Sequence, residues 1–103
     1  MVWLWAWWHR QKAKEQLPDL WFRLYTRRGC HLCEDAWQLL DEQRRRYGFV
    51  LEAVDVDTDP DLTARFGERV PVVTVNGKER FRGGVAPALL ERLLRGEAAR
   101  VKG

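Results

Sequence analysis

From residue 20 to 26 the chain alternates. Phe22, Leu24 and Thr26 fall on one face, and Trp21, Arg23 and Tyr25 on the other. Both faces carry apolar residues, which predicts a strand in the interior of a sheet. Arg27-Arg28-Gly29 reads as a loop. From 31 to about 47 the period becomes helical: Leu32, Ala36, Leu39, Leu40 and Tyr47 recur on one side, with Trp37 at its flank. Gly48 is placed to terminate that helix. Residues 49–56 predict a second strand. Asp59 as N-cap and Pro60 at the first helical position open a short helix with Leu62 and Phe66 inward and Gly67 at its end. Val70-Pro71 precedes a third strand over 72–75. Asn76-Gly77 is a strong hairpin signal and turns the chain into a fourth strand over 78–82. After Gly83-Gly84, a helix from 87 to about 95 places Leu89, Leu90, Leu93 and Leu94 inward. The residues from Gly96 are polar and are expected to fray.

The predicted order is β-α-β-α-β-β-α, an α/β class. It implies a central mixed four-stranded sheet flanked by three helices. Each β-α-β crossover is expected to be right-handed with its two strands parallel, and the hairpin to add an antiparallel edge. The compact domain is expected over 19–96, with a polar tail over 97–103. Residues 1–18 form an extension of different composition, broken from the domain at Leu17-Pro18-Asp19. Its first eight residues carry Trp3, Trp5, Trp7 and Trp8. They are too few to span a bilayer, which takes about 20 residues. No positive charge precedes them and no small-residue cleavage site follows, so a signal peptide is not expected. Three readings stay open: contact with a membrane surface, packing on this domain or on a second copy as a dimer, or an extension without a role.

A length of 103 residues fits one domain, and 46% hydrophobic residues suffice for a core without staples. The net charge of +3 is mild. No segment interleaves basic and aromatic residues along a groove-like face, so nucleic acid is not an expected partner. Arg44-Arg45-Arg46 reads as the solvated face of a helix. Arg80 and Arg82 fit the charged decoration of an edge strand.

The two cysteines, Cys30 and Cys33, stand as C-x-x-C between the first strand and the first helix. The first sulfur falls at a helix start, where a thiolate is stabilised, and the second lies one turn on. Two thiols do not complete a zinc site, and the spacing is not that of a secreted disulfide framework. It reads as redox chemistry in a reducing, cytoplasmic setting. Cys30 is the expected nucleophile and Cys33 the resolving thiol. Arg27, Arg28 and the helix amides would stabilise the Cys30 thiolate. His31 either tunes that thiolate or is an exposed helix residue.

On the segment Thr26-Arg27-Arg28-Gly29-Cys30-His31-Leu32-Cys33, the Val70-Pro71 pair and Gly83-Gly84, the chain resembles a glutaredoxin-like protein of the thioredoxin-fold superfamily over about 20–95. The resemblance implies a cis Pro71 facing the cysteines and a Val70 backbone that pairs with substrate. It also implies that Arg27 and the amides of Gly83-Gly84 meet the carboxylates of glutathione. Two features depart from the family. Gly83-Gly84-Val85-Ala86-Pro87 lacks the acidic residue that glutaredoxins carry there, and His31-Leu32 replaces Pro-Tyr.

The expected function is thiol–disulfide exchange on protein or small-molecule disulfides, with no bound cofactor and no metal. Electrons would come from glutathione, another thiol, or a thioredoxin-reductase-type enzyme. The alternative is a non-catalytic carrier or binding module. It would hold a metal or an iron–sulfur cluster, or dock a partner through the Trp-rich extension.

Overall fold

The computed structural model describes residues 17–102. The Trp cluster of the extension lies outside them. The strands are β1 (Trp21–Thr26), β2 (Val50–Asp55), β3 (Val72–Val75) and β4 (Lys78–Arg82). The helices are α1 (His31–Tyr47), α2 (Pro60–Phe66) and α3 (Pro87–Lys102), with a 3-10 turn at Val56–Thr58. The four strands form one sheet in the order β2-β1-β3-β4, so β1 is interior as its two apolar faces require. Among the described residues no helix is long and apolar enough to cross a membrane.

The two faces of β1 feed two cores. Phe22 and Leu24 pack with Ala36 and Leu40 of α1 and with Leu90 and Leu94 of α3. Tyr25, on the other face, packs with Val56, Val72 and Phe66 of α2, its ring stacked on Phe66 at 4.4 Å. Asn76 and Gly77 both have positive φ, 51° and 85°, as the tight hairpin between β3 and β4 demands. Asn76 also locks that turn to β1, since its Oδ1 accepts from the Trp21 N–H at 2.7 Å.

The second crossover departs from expectation. β1 and β2 are parallel, but β3 runs antiparallel to β1. Helix length accounts for this. The 17 residues of α1 reach about 25 Å, enough to carry the chain back past a strand of 6 residues, about 20 Å long. The 7 residues of α2 reach only about 10 Å. The chain therefore enters β3 from the end at which β2 left the sheet.

Smaller differences concern faces and ends. Leu32 and Leu89, expected inward, are 57% and 56% exposed. The buried stripe of α1 is Cys33, Ala36, Leu40 and Tyr47. That of α3 is Leu90, Leu94 and Ala98, so Leu32 and Leu89 each precede their stripe by one residue. The same stripe carries α3 through Gly96 to Lys102, where a frayed tail was expected. Leu17, placed by composition in the extension, is buried in the larger core, and its N–H donates to the Tyr47 carbonyl at 2.9 Å. Residue 56 opens the 3-10 turn instead of ending β2.

Candidate active site

The cysteine loop leaves the sheet from the end of its interior strand β1. Tyr25 is paired with Val72 and Thr26 with Asp55. The loop therefore emerges between the end of β2 and the start of β3. Gly29, at φ 76°, turns the chain into α1. Cys30 is the N-cap of that helix, with extended backbone at φ −96° and ψ 104°. Its Sγ accepts a hydrogen bond from the Cys33 N–H at 3.1 Å, and its carbonyl accepts from the Glu34 N–H at 3.1 Å. The sulfur thus takes the place of the hydroxyl or carboxylate that usually caps a helix.

Cys30 and Cys33 are joined in a disulfide, with Cα atoms 5.2 Å apart. The two sulfurs differ in access. Cys30 is half-buried, while Cys33 is only 2% exposed and belongs to the buried stripe of α1. A capping position and greater access are the two properties that make one cysteine of such a pair the more reactive.

The two arginines before the motif are placed very differently. The Arg27 guanidinium donates from Nε and Nη2 to the two carboxylate oxygens of Asp57, at 2.9 and 2.8 Å, and from Nη1 to the Gly67 carbonyl at 3.0 Å. Its hydrogen bonds hold the Asp57 carboxyl below the usual carboxylate range. Arg27 is therefore a bracket joining the cysteine loop, the 3-10 turn and the end of α2. Gly67 has an ordinary helical φ of −50°, so conformation does not require a glycine there. Space does: a Cβ would lie 2.5 Å from the Thr63 carbonyl oxygen and 3.3 Å from Arg27 Nη2. Arg28 is exposed and forms no ion pair or hydrogen bond among the described residues.

The Val70–Pro71 peptide is cis, and Pro71 is fully buried. The Gly83 N–H donates to the Pro71 carbonyl at 2.8 Å and to the Arg69 carbonyl at 3.2 Å. The two segments named by the resemblance are thereby joined. Gly83 and Gly84 have φ of 76° and 156°, backbone that side chains rarely tolerate. His31 points outward: its side chain is 94% exposed, with Nδ1 3.7 Å from the Glu34 carboxylate.

A groove of about 440 Å³ lies on the β2 side of the disulfide. Leu24 and Ala53 lie at its sheet side, Cys33, Glu34, Trp37 and Gln38 line it from α1, and the loop from Thr26 to Cys30 closes one end. It brings together Arg27, Arg28 and both cysteines among the residues singled out in the sequence. Val70, Pro71, Gly83, Gly84 and His31 do not line it. By periodicity Trp37 falls only at the flank of the helix. Its spacing held the missing signal, since positions 30, 33 and 37 share one helical face.

Comparison with known proteins agrees with this architecture. A Halobacterium salinarum thioredoxin is similar in fold, with a TM-score of 0.61 at 17% identity over 79% of this chain and 76% of its own. A Nitrosomonas europaea protein solved in solution gives a TM-score of 0.64 at 27% identity, covering 78% of this chain and 96% of its own. A structural-genomics target from X. campestris is 33% identical over 73% of this chain and 96% of its own, with a TM-score of 0.57. Uncharacterized proteins of Mycobacterium tuberculosis and M. bovis are 39% identical over 61 residues, 54% of this chain. The matched stretch spans 63% of the length of those relatives. A bonded C-x-x-C at the helix start of a thioredoxin-like fold points to redox-type function. Residues 21–95 match one family throughout, from β1 into α3, and the chain belongs to it: the Glutaredoxin-like domain (DUF836) family.

Proposed function

We propose that this protein is a thiol–disulfide oxidoreductase that reduces protein or small-molecule disulfides through Cys30 and Cys33. The observation that carries the proposal is the asymmetry of the pair. Cys30 caps α1 with an amide aimed at its sulfur and is reachable, while Cys33 is buried behind it.

In the reduced protein the Cys30 thiolate attacks one sulfur of a substrate disulfide. A Cys30–substrate bond forms, the substrate disulfide breaks, and the first substrate thiolate leaves. Cys33 then attacks the Cys30 sulfur. The Cys30–Cys33 bond forms, the mixed disulfide breaks, and the Cys33 proton ends on the departing thiolate. Two electrons have passed from the dithiol to the substrate. Glutathione, another thiol, or a thioredoxin-reductase-type flavoenzyme would return them. The family resemblance gives the Val70 backbone the role of pairing with the substrate as an extended chain, and the Gly83-Gly84 turn that of meeting a glutathione carboxylate, through Gly84, since the Gly83 N–H is bonded to the Pro71 and Arg69 carbonyls. Arg27, paired with Asp57 and bonded to Gly67, holds the cysteine loop in place. The cytoplasm is the compartment this chemistry suits.

The test is disulfide reduction with either glutathione and its reductase or a thioredoxin reductase as the electron source. Wild type should turn over with one of them. Cys30→Ser should lose turnover entirely, and Cys33→Ser should accumulate a mixed disulfide visible by intact mass. Full activity in Cys30→Ser would remove it as the nucleophile. A brown or zinc-loaded dimer without turnover would replace the proposal with a carrier.

A further inference from the structure

The groove on the β2 side of the disulfide is not required by the exchange chemistry, yet both cysteines line it. We propose that it is a side-chain recognition site for the disulfide-bearing polypeptide. It takes an apolar, preferentially aromatic residue near the substrate cysteine against Trp37, with a nearby carboxylate held by Arg28. The inference rests on the oxidoreductase reading and names its substrate class.

Four observations carry it. The first is continuity: Cys30 itself lines the groove, so a chain bonded to its sulfur begins at the groove's edge. The second is an unused aromatic surface. Trp37 belongs to neither core and is 39% exposed, although it faces the apolar Leu24 and Ala53 across the groove. An indole so placed offers a rigid apolar face with little conformational entropy to lose.

The third observation is charge. Arg27 is neutralised by Asp57, so the cation that the loop presents to a ligand is Arg28. Glu34, on the helix side, faces His31 and repels a carboxylate. An acidic substrate group therefore belongs at the loop end of the groove, beside Arg28. The fourth is openness. Gln38 and Ala53 are exposed at the rim, and among the described residues β2 is an edge strand with a neighbour on one side only. A site open along a sheet edge suits an extended polypeptide laid across it better than a small molecule enclosed within it.

The experiment compares disulfide-linked peptides with Phe or Ala beside the cysteine and with Asp or Lys as the flanking residue. Bis(2-hydroxyethyl) disulfide, which is too small to reach Trp37, serves as the reference. In the full chain, kcat/KM is measured for wild type, Trp37→Ala and Arg28→Glu. Wild type should prefer the Phe–Asp peptide. Trp37→Ala should lower kcat/KM for the Phe peptides about tenfold and leave the reference within about twofold. Arg28→Glu, an exposed loop change that does not depend on the packing of Trp37, should reverse the preference from Asp to Lys. Equal losses on peptide and reference, or no preference among peptides, would overturn the groove assignment and leave the oxidoreductase reading intact. Reduction of neither class by wild type would overturn both. A rise in peptide kcat/KM on removing residues 1–16 would give the groove to the chain's own first residues. A dimer that dissociates in Trp37→Ala would give it to a second copy. Either result would also overturn the proposal.

Discussion

The cysteine loop emerges between β2 and β3, and its two sides are built from different material. On the β3 side stand a buried cis proline, Val70 before it, and two glycines, one bonded through its N–H to the Pro71 carbonyl. That flank is backbone. On the β2 side stand Trp37, Arg28, Glu34 and Gln38 around an open groove. That flank is side chain. As proposed, the backbone side pairs with any polypeptide alike, because every residue carries the same amide. A side-chain surface discriminates. It can also change without disturbing the fold, since Trp37 and Arg28 take no part in either core. Arg27 joins the two flanks: it lines the groove, yet its hydrogen bonds run to Asp57 after β2 and to Gly67 ahead of Val70.

The comparison is broken most directly on the backbone flank. Gly84→Val puts a β-branched residue at φ 156°. It should cost about 2 kcal/mol in urea unfolding. Turnover should fall on every disulfide alike, without the selectivity change expected from Arg28→Glu. A stable Gly84→Val protein with altered preference among peptides would erase the distinction between the flanks.

At the junction, Gly67→Ala forces a Cβ against the Thr63 carbonyl and crowds Arg27 Nη2. A loss of about 1–2 kcal/mol is expected by thermal or urea unfolding. An unchanged midpoint would show that the end of α2 has room to move.

The smallest effect is the most specific. Asp57 is held below its ordinary range by Arg27, so the pair stabilises the fold above the unfolded carboxylate pKa, about 3.9. That contribution is lost as pH falls through the lower, folded value. Arg27→Gln should therefore be slightly less stable than wild type from neutral pH down to about 4 and should converge with it below. The difference should also shrink in high salt, since the pair is exposed. A constant difference across the whole pH range would mean that Arg27 acts through Gly67 and not through Asp57.

Much of the fold was legible wherever the causes are local. The ends of α1, the Asp59 cap with Pro60 behind it, β3, β4 and the turn between them all lie where the pattern predicted. Each is set by residues within one turn of each other. The misreadings share another cause. Leu32 and Leu89 are apolar and in helical register, and each still sits one step off the stripe that meets the sheet. Periodicity identifies a helix more surely than its facing, because facing is set by what the helix meets. Gly96 looked like an end, but Ala98 finds a place in the core and the helix continues past it.

At the site, the spacing of Cys30 and Cys33 was enough to place one sulfur at a helix start and its partner one turn on; that the Cys30 sulfur itself caps the helix came from the structure. The spacing was not enough to say what surrounds them. Arg27 meets a carboxylate 30 residues away. Trp37 shares a groove with Ala53 only because β2 returns parallel beside β1. β3 reverses direction because α2 is too short to carry the chain back. The sequence by itself therefore determined the elements, their caps and turns, and the redox pair, all governed by forces that act within a few residues. The tertiary structure decided which arginine is engaged, which strand reverses and which tryptophan borders the sulfurs. Those outcomes depend on distances between segments, and no local pattern encodes them.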